Sequence, residues 1–209
     1  VGNINVSGIT FNLRGTSDSG RDIDIPAVTD ENGVAIFSEI PIGTYTIYED
    51  EKTVPTAYLV ADPQNVTVTY AETKEVPIEN KEKTGSITVH KTTEGQKNIE
   101  GIKFYLRGTS DSGRAIDIPA TTDKDGIAKF DGVPIGTYMV IEDEETVPYG
   151  YLVADEKEVK VEYAQTIDET ILNNEQTGTV KVHKKTADMT NVEGIRFILS
   201  GISDTGREI

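Results

Sequence analysis

The 209-residue chain carries 36 acidic against 20 basic residues, a formal net charge of -16. A field of that sign repels phosphate backbones and anionic lipid, which argues against nucleic-acid and direct membrane-surface binding. The chain has no cysteine, so neither disulfides nor thiolate metal sites hold the fold; this suits a secreted protein. No signal peptide, transmembrane run or sorting tail is visible in this segment. Thr, Val, Ile and Tyr are plentiful, Gly is scattered between short apolar runs, and no stretch shows sustained helical spacing. Strands joined by tight turns are expected throughout.

The chain repeats itself. Arg-Gly-Thr-Ser-Asp-Ser-Gly-Arg runs from Arg14 to Arg21 and again from Arg107 to Arg114, an offset of 93. The same offset relates Gly33 to Gly126, Tyr45 to Tyr138, Pro55 to Pro148 and Asn80 to Asn173. Between Gly8–Asp62 and Gly101–Asp155, 38 of 55 positions are identical without a gap. One whole unit has been duplicated, and a third copy opens at Gly178. The expected division is residues 1–84 for a first repeat lacking its N-terminal strand, 85–177 for a complete repeat, and 178–209 for the opening of a third. A repeat of this length carries its own core, unlike the short units of solenoids.

In the complete copy the elements run in order. Ile87, Val89 and Lys91 share one face of a first strand, and Ile102, Phe104 and Leu106 line a second. Asp123-Lys-Asp-Gly126 is a turn signal feeding a strand at Ile127–Phe130. Pro134-Ile-Gly136 leads into Thr137–Glu142, and Tyr151–Ala154, Glu158–Tyr163 and Thr166–Asn173 finish the set. About seven strands in this length predict an all-β fold: tandem prealbumin-like or immunoglobulin-like two-sheet sandwiches.

Three polar residues fall on inward phases. Lys91 follows Ile87 and Val89, Glu142 follows Tyr138 and Val140, and Asn173 follows Ile171, although Glu169 interrupts that last alternation. Burying a Lys, a Glu and an Asn is costly unless they satisfy one another. Either the strand ends sit at a rim where charged tips reach water, or the three meet inside. If they meet, burial favours the neutral, nucleophilic amine of Lys91. It also favours a neutral carboxyl on Glu142, able to polarise the Asn173 carboxamide and relay protons. An amide between Lys91 and Asn173 then forms as ammonia leaves.

These residues carry a family resemblance. Gly85-Ser-Ile-Thr-Val-His-Lys91, Gly101-Ile-Lys-Phe-Tyr-Leu106, Thr122-Asp-Lys-Asp-Gly126, Pro134-Ile-Gly-Thr-Tyr138, Glu142, Pro148-Tyr-Gly-Tyr151 and Ile171-Leu-Asn173 resemble the Cna protein B-type domains of Gram-positive surface proteins and pilins. The resemblance covers all three copies. It implies a prealbumin-like sandwich, a stalk role, and a Lys91–Asn173 isopeptide bond assisted by Glu142. The partial-repeat equivalents are Glu49 and Asn80 in copy one and Lys184 in copy three. The family spacing from Glu to the Pro-x-Gly-Tyr segment fits Glu144 better than Glu142, so Glu144 stays as the alternative; counting from Tyr138 favours Glu142. Asn174 stands beside Asn173, but only Asn80 occupies that pair in copy one. Thr56-Ala57 replaces Tyr-Gly in copy one, which predicts an altered turn there. The segment Thr179–Thr186 carries the strand that copy one lacks, so weak head-to-tail association between molecules is expected, with a Lys184–Asn80 amide as the bond that could seal it.

Other candidates fall to simpler readings. His90 and His183, the only histidines, sit on the opposite strand face from their lysines and are expected in solvent. Asp123-x-Asp125-Gly126 lacks the remaining ligands of a calcium loop, so a plain hairpin turn is expected. Thr109–Gly113 has the composition of any tight connection. No nucleophile–base pair with turnover potential emerges, and no metal or cofactor is expected. The resulting expectation is a stalk or spacer of a bacterial cell-surface adhesin or pilin, extracellular and anchored to the cell wall through sequence elsewhere. Its partners are neighbouring repeats and, through other domains, host or matrix proteins. The rival readings are a protein- or glycan-binding module, for which Tyr149 is the one obvious loop-tip aromatic, and an accessory domain of a secreted enzyme.

Overall fold

The computed structural model describes residues 6–95, 99–187 and 192–209. Copy two is a complete sandwich of seven strands: β5 Thr84–Thr93, β6 Lys103–Ser110, β7 Ala115–Thr121, β8 Ile127–Pro134, β9 Gly136–Glu142, β10 Lys157–Val161 and β11 Thr166–Asn173. They form one sheet in the order β10-β9-β6-β7 and a second in the order β11-β5-β8. All pairings are antiparallel except β11 with β5, which run parallel with Ile171 opposite Lys91 and Asn173 opposite Thr93.

The period of two explains the core. Alternate residues of β5, from Gly85 to Thr93, are all buried, as are alternate residues of β9 from Gly136 to Glu142. Ile87, Val89, Phe104, Leu106, Phe130, Tyr138, Val140 and Val161 fill the space between the sheets at 2% exposure or less. Burying each of the larger side chains stabilises by about 1.5–3 kcal/mol. The Tyr138 hydroxyl reaches the Pro134 carbonyl at 2.8 Å, and burial pushes its phenol up to about 12.

Copy one repeats half of this. β1 Thr10–Ser17, β2 Asp22–Val28, β3 Gly43–Glu49 and β4 Gln64–Val68 form a single antiparallel sheet in the order β2-β1-β3-β4, the counterpart of β10-β9-β6-β7. The described residues of copy three form no strand; a bridge between Ile202 and Glu208 closes one turn.

Two elements of copy two differ from expectation. Ala115–Thr121 is a strand that the expected set did not include, and it contains Pro119. β7 lies at a sheet edge, where a missing N–H costs no ladder bond. Tyr151–Ala154 contributes only a one-residue bridge, Tyr151 with Glu175. The Asp123 turn takes β7 across to β8 in the other sheet and so is not a hairpin. Asp123 Oδ1 accepts from the N–H groups of Asp125 (2.9 Å) and Ile127 (3.0 Å), and these bonds hold its carboxyl below the usual range. Gly126 closes that turn with φ +75°, and a Cβ there would lie 2.7 Å from the Lys91 carbonyl. Only glycine lets the turn meet β5 at the level of Lys91.

Candidate functional site

Lys91, Glu142 and Asn173 meet between the two sheets. Lys91 comes from the central strand β5, Asn173 from its parallel neighbour β11, and Glu142 from the last position of β9 in the facing sheet. The side chains of Lys91 and Glu142 are 0% and 1% exposed, and Asn173 is fully buried. The three strand ends are therefore not a wet rim.

Glu142 spans the other two residues. Its Oε1 lies 3.5 Å from Lys91 Nζ, and its Oε2 accepts from Asn173 Nδ2 at 2.6 Å. Two main-chain groups fix this orientation. The Ala154 N–H donates to Glu142 Oε2 at 2.8 Å, and Asn173 Nδ2 donates to the Leu152 carbonyl at 2.8 Å. Lys91 Nζ donates to the carbonyls of Thr92 (2.7 Å) and Ile171 (3.1 Å). Glu142 Oε1 and Asn173 Oδ1 are buried without a hydrogen-bond partner. Burial pushes the Lys91 amine below its ordinary 10.5, and the Glu142 carboxylate beside it pulls the other way without winning.

This is an expensive arrangement for charged groups. Desolvating an ammonium and a carboxylate costs several kcal/mol per ion, and a pair at 3.5 Å with an unsatisfied oxygen recovers that poorly. A reaction that removes the amine's charge would relieve the cost.

Copy one builds the same cradle around Glu49 and Asn80. Asn80 Nδ2 donates to Glu49 Oε2 at 2.6 Å and to the Leu59 carbonyl at 2.9 Å, and the Ala61 N–H donates to Glu49 Oε2 at 2.7 Å. Glu49 Oε1 is buried with no partner. Lys184, the third-copy lysine, is exposed and donates to the Lys185 carbonyl; it is not brought to either cradle. Glu144 opens a short 3-10 turn, Glu144–Thr146, and faces solvent, as does Asn174. His90 is on the outer face, 3.0 Å from Asp168 Oδ1, and His183 is exposed. Tyr149 is exposed at its turn.

The sequence reading missed Leu152 and Ala154, with Leu59 and Ala61 in copy one. They act through main-chain groups, so their side chains carry no signal. Among the described residues, no three or more His, Asp or Glu converge as a metal site, and no helix is long and apolar enough to cross a membrane.

A model of the SpaA prealbumin-like fold domain matches residues 2–82 and again residues 85–176. The chain belongs to that family. The family is structural and non-enzymatic. A search of curated proteins returned no match. Among solved structures, the Bacillus anthracis TIE protein is similar in fold, with 19% identity and a TM-score of 0.63 over 97% of this chain; this chain spans 37% of that one. Weaker likenesses are GBS52, the minor pilin of Streptococcus agalactiae (20% identity, TM-score 0.41, 86% of this chain and 87% of that one), and the shaft pilin SpaA of Lactobacillus rhamnosus GG (18%, 0.38, 84% and 90%).

Proposed function

We propose that the chain is a stalk or spacer segment of a bacterial cell-surface adhesin or pilin, built from tandem repeats of one sandwich unit: a first repeat without its N-terminal strand at residues 1–84, a complete one at 85–177 and the opening of a third at 178–209. In this reading it lies outside the cell, anchored to the wall through sequence elsewhere. Copy two is sealed by an amide between Lys91 Nζ and Asn173 Cγ. The observation that carries the amide is the meeting of Lys91, Glu142 and Asn173 in one dry site, with Glu142 touching both nitrogens.

The chemistry follows from that geometry. A proton moves from Nζ to Glu142 Oε1, leaving a neutral amine whose lone pair adds to Asn173 Cγ. The Nζ–Cγ bond forms and the Cγ–Nδ2 bond breaks. Nζ gives up two protons in total: one leaves with Nδ2 as ammonia, the other remains on the Glu142 carboxyl. Glu142 is suited to the transfer because one oxygen faces the attacking nitrogen and the other holds the departing one. The Leu152 carbonyl keeps Nδ2 turned toward the carboxyl. Water is excluded, which disfavours hydrolysis and strengthens each polar contact. The reaction runs once per molecule.

Intact-mass measurement tests this. The folded chain should be lighter than its sequence by one ammonia, and tandem mass spectrometry should link the peptides of Lys91 and Asn173. Full sequence mass in the folded protein would falsify the proposal.

A further inference from the structure

We infer that the Ser-Asp-[Ser/Thr]-Gly-Arg turn of each repeat is a receptor for the glutamate that follows the preceding repeat's site asparagine, and that this contact sets the angle between repeats. The partner is the neighbouring repeat. The inference rests on the tandem-array reading but not on the amide.

The contact occurs twice, at the same offset of 93. Between copies one and two, the Ser112 hydroxyl donates to Glu82 Oε1 and Arg114 Nη2 lies 3.1 Å from Glu82 Oε2. Between copies two and three, the Thr205 hydroxyl donates to Glu175 Oε1 and Arg207 Nη2 lies 2.9 Å from Glu175 Oε2. The described residues of copy three form no sheet, yet its turn is formed and seated: the Gly206 N–H donates to the Ser203 carbonyl at 2.8 Å, and Thr205 is buried.

Each glutamate belongs to the repeat before it. Glu82 bridges to Tyr58, with the Leu59 N–H donating to the Lys81 carbonyl at 2.8 Å. Glu175 bridges to Tyr151, with the Leu152 N–H donating to the Asn174 carbonyl at 2.8 Å. The main chain of the glutamate is thus held by one repeat and its carboxylate by the next. The ion pairs alone would do little, because both arginines are about half exposed. The hydroxyls decide the matter: Ser112 is 3% exposed and Thr205 8%, so each bond is desolvated.

Shape supports the same assignment. At the second joint a Cβ on Gly150 would lie 2.9 Å from the Thr205 methyl. At the first joint the corresponding residues are Ala57, which has that Cβ and is buried, and Ser112, which has no methyl. Each joint carries one of the two methyl groups, on opposite sides. Copy one offers the same turn, Ser17 to Arg21, with Ser17 Oγ 3.0 Å from Ser19 Oγ.

Spin-label distance measurement tests the inference on the full chain, since the absence of native cysteine lets labels be placed at Thr67→Cys and Lys160→Cys without competition. The parent should give one narrow distance distribution. Glu82→Gln with Arg114→Gln should broaden it severalfold, and Ser112→Ala, which removes the buried hydroxyl, should broaden it as well. Ser112→Thr should broaden it, and adding Ala57→Gly should restore it by recreating the second joint's pairing. A broad parent distribution, or an unchanged width in the double Gln variant, overturns the carboxylate latch. Failure of Ala57→Gly to rescue Ser112→Thr overturns the steric match. Ammonia loss measured on the same samples separates failure of the latch from failure of the amide.

Discussion

Copy two forms both sheets of the sandwich, whereas copy one forms one. Residues 34–41 and 73–80 correspond to β8 and β11, yet neither segment is a strand. In copy two those strands flank β5 on either side, and no strand among the described residues occupies the β5 position in copy one. Both neighbours depend on the central strand for their ladder bonds, so neither forms as a strand among the described residues of copy one. Their inward apolar residues Phe37, Ile40, Val76 and Ile78 stay half-buried against the remaining sheet, while Val34, the counterpart of Ile127, is exposed. The Glu49–Asn80 cradle nevertheless forms, with hydrogen bonds within 0.1 Å of those in copy two. Acid and acceptor are therefore arranged by the first sheet and the chain leading out of the domain. The nucleophile arrives only on the strand that completes the fold, so bond formation waits for folding.

The largest effect should come from making copy two resemble copy one chemically. Lys91→Ala or Asn173→Ala removes a cross-link closing a loop of about 80 residues, which stabilises by about 4–5 kcal/mol on the chain-entropy estimate. Calorimetry should show the unfolding midpoint of copy two falling by roughly ten degrees or more, with mass returning to the full sequence value. A midpoint that stays put in both variants breaks the link between the amide and stability.

The two glutamates give the next contrast. Glu142→Ala should leave Lys91 and Asn173 unjoined at full mass, whereas Glu144→Ala, altering an exposed turn residue, should lose one ammonia as the parent does. The reverse pattern would transfer the assisting role to Glu144.

A smaller effect isolates the buried amine. In Asn173→Ala the lysine stays uncoupled, with its folded value below the 10.5 of the unfolded chain. The unfolded state then binds more protons between those two values. Stability should rise with pH through that window, and the cost of burying the ammonium should be fully present below it. Lys91→Met in the same background should abolish this rise, as read from urea midpoints across the pH series. Parallel curves for the two variants would mean that the amine is not desolvated.

The sequence displayed more of the site than of the sheet. Inward phase made Lys91, Glu142 and Asn173 candidates, and the count from Tyr138 preferred Glu142 to Glu144, which shares that phase. The interrupting Glu169 proves half-buried, 3.5 Å from Lys157, so the alternation of β11 is intact. β7 was not among the expected strands; its alternation is weak, with only Ile116 fully buried. Tyr151–Ala154 looked like a strand because it is extended and apolar, but its main chain serves Glu142 and Asn173 instead. The altered turn in copy one was legible from Thr56-Ala57. Gly150 has φ +90° while Ala57 is not in the left-handed region, although the bonds to Pro148 and Pro55 that close both turns persist.

The smallest expected effect concerns copy one itself. As the chain stands, one ammonia should be lost and not two, because the described part of copy one brings no lysine to Glu49 and Asn80. Supplying the missing strand tests whether that is its only deficit. A peptide with the sequence Gly85–Thr93 presents the required lysine and both pairing edges, and an open sheet accepts a matching strand readily. The chain also carries an exposed rival, Lys184. In concentrated protein it should give a faint ladder of linked chains on denaturing gels, and Lys184→Ala should remove that ladder. In the Lys184→Ala background the peptide should add its own mass less one ammonia at Asn80, and Asn80→Ala should prevent this. Hydrogen exchange should slow at Phe37 and Ile78 as the second sheet forms. Slowed exchange without the mass change would mean that the strand completes the sheet but that the Glu49 cradle cannot perform the chemistry of Glu142.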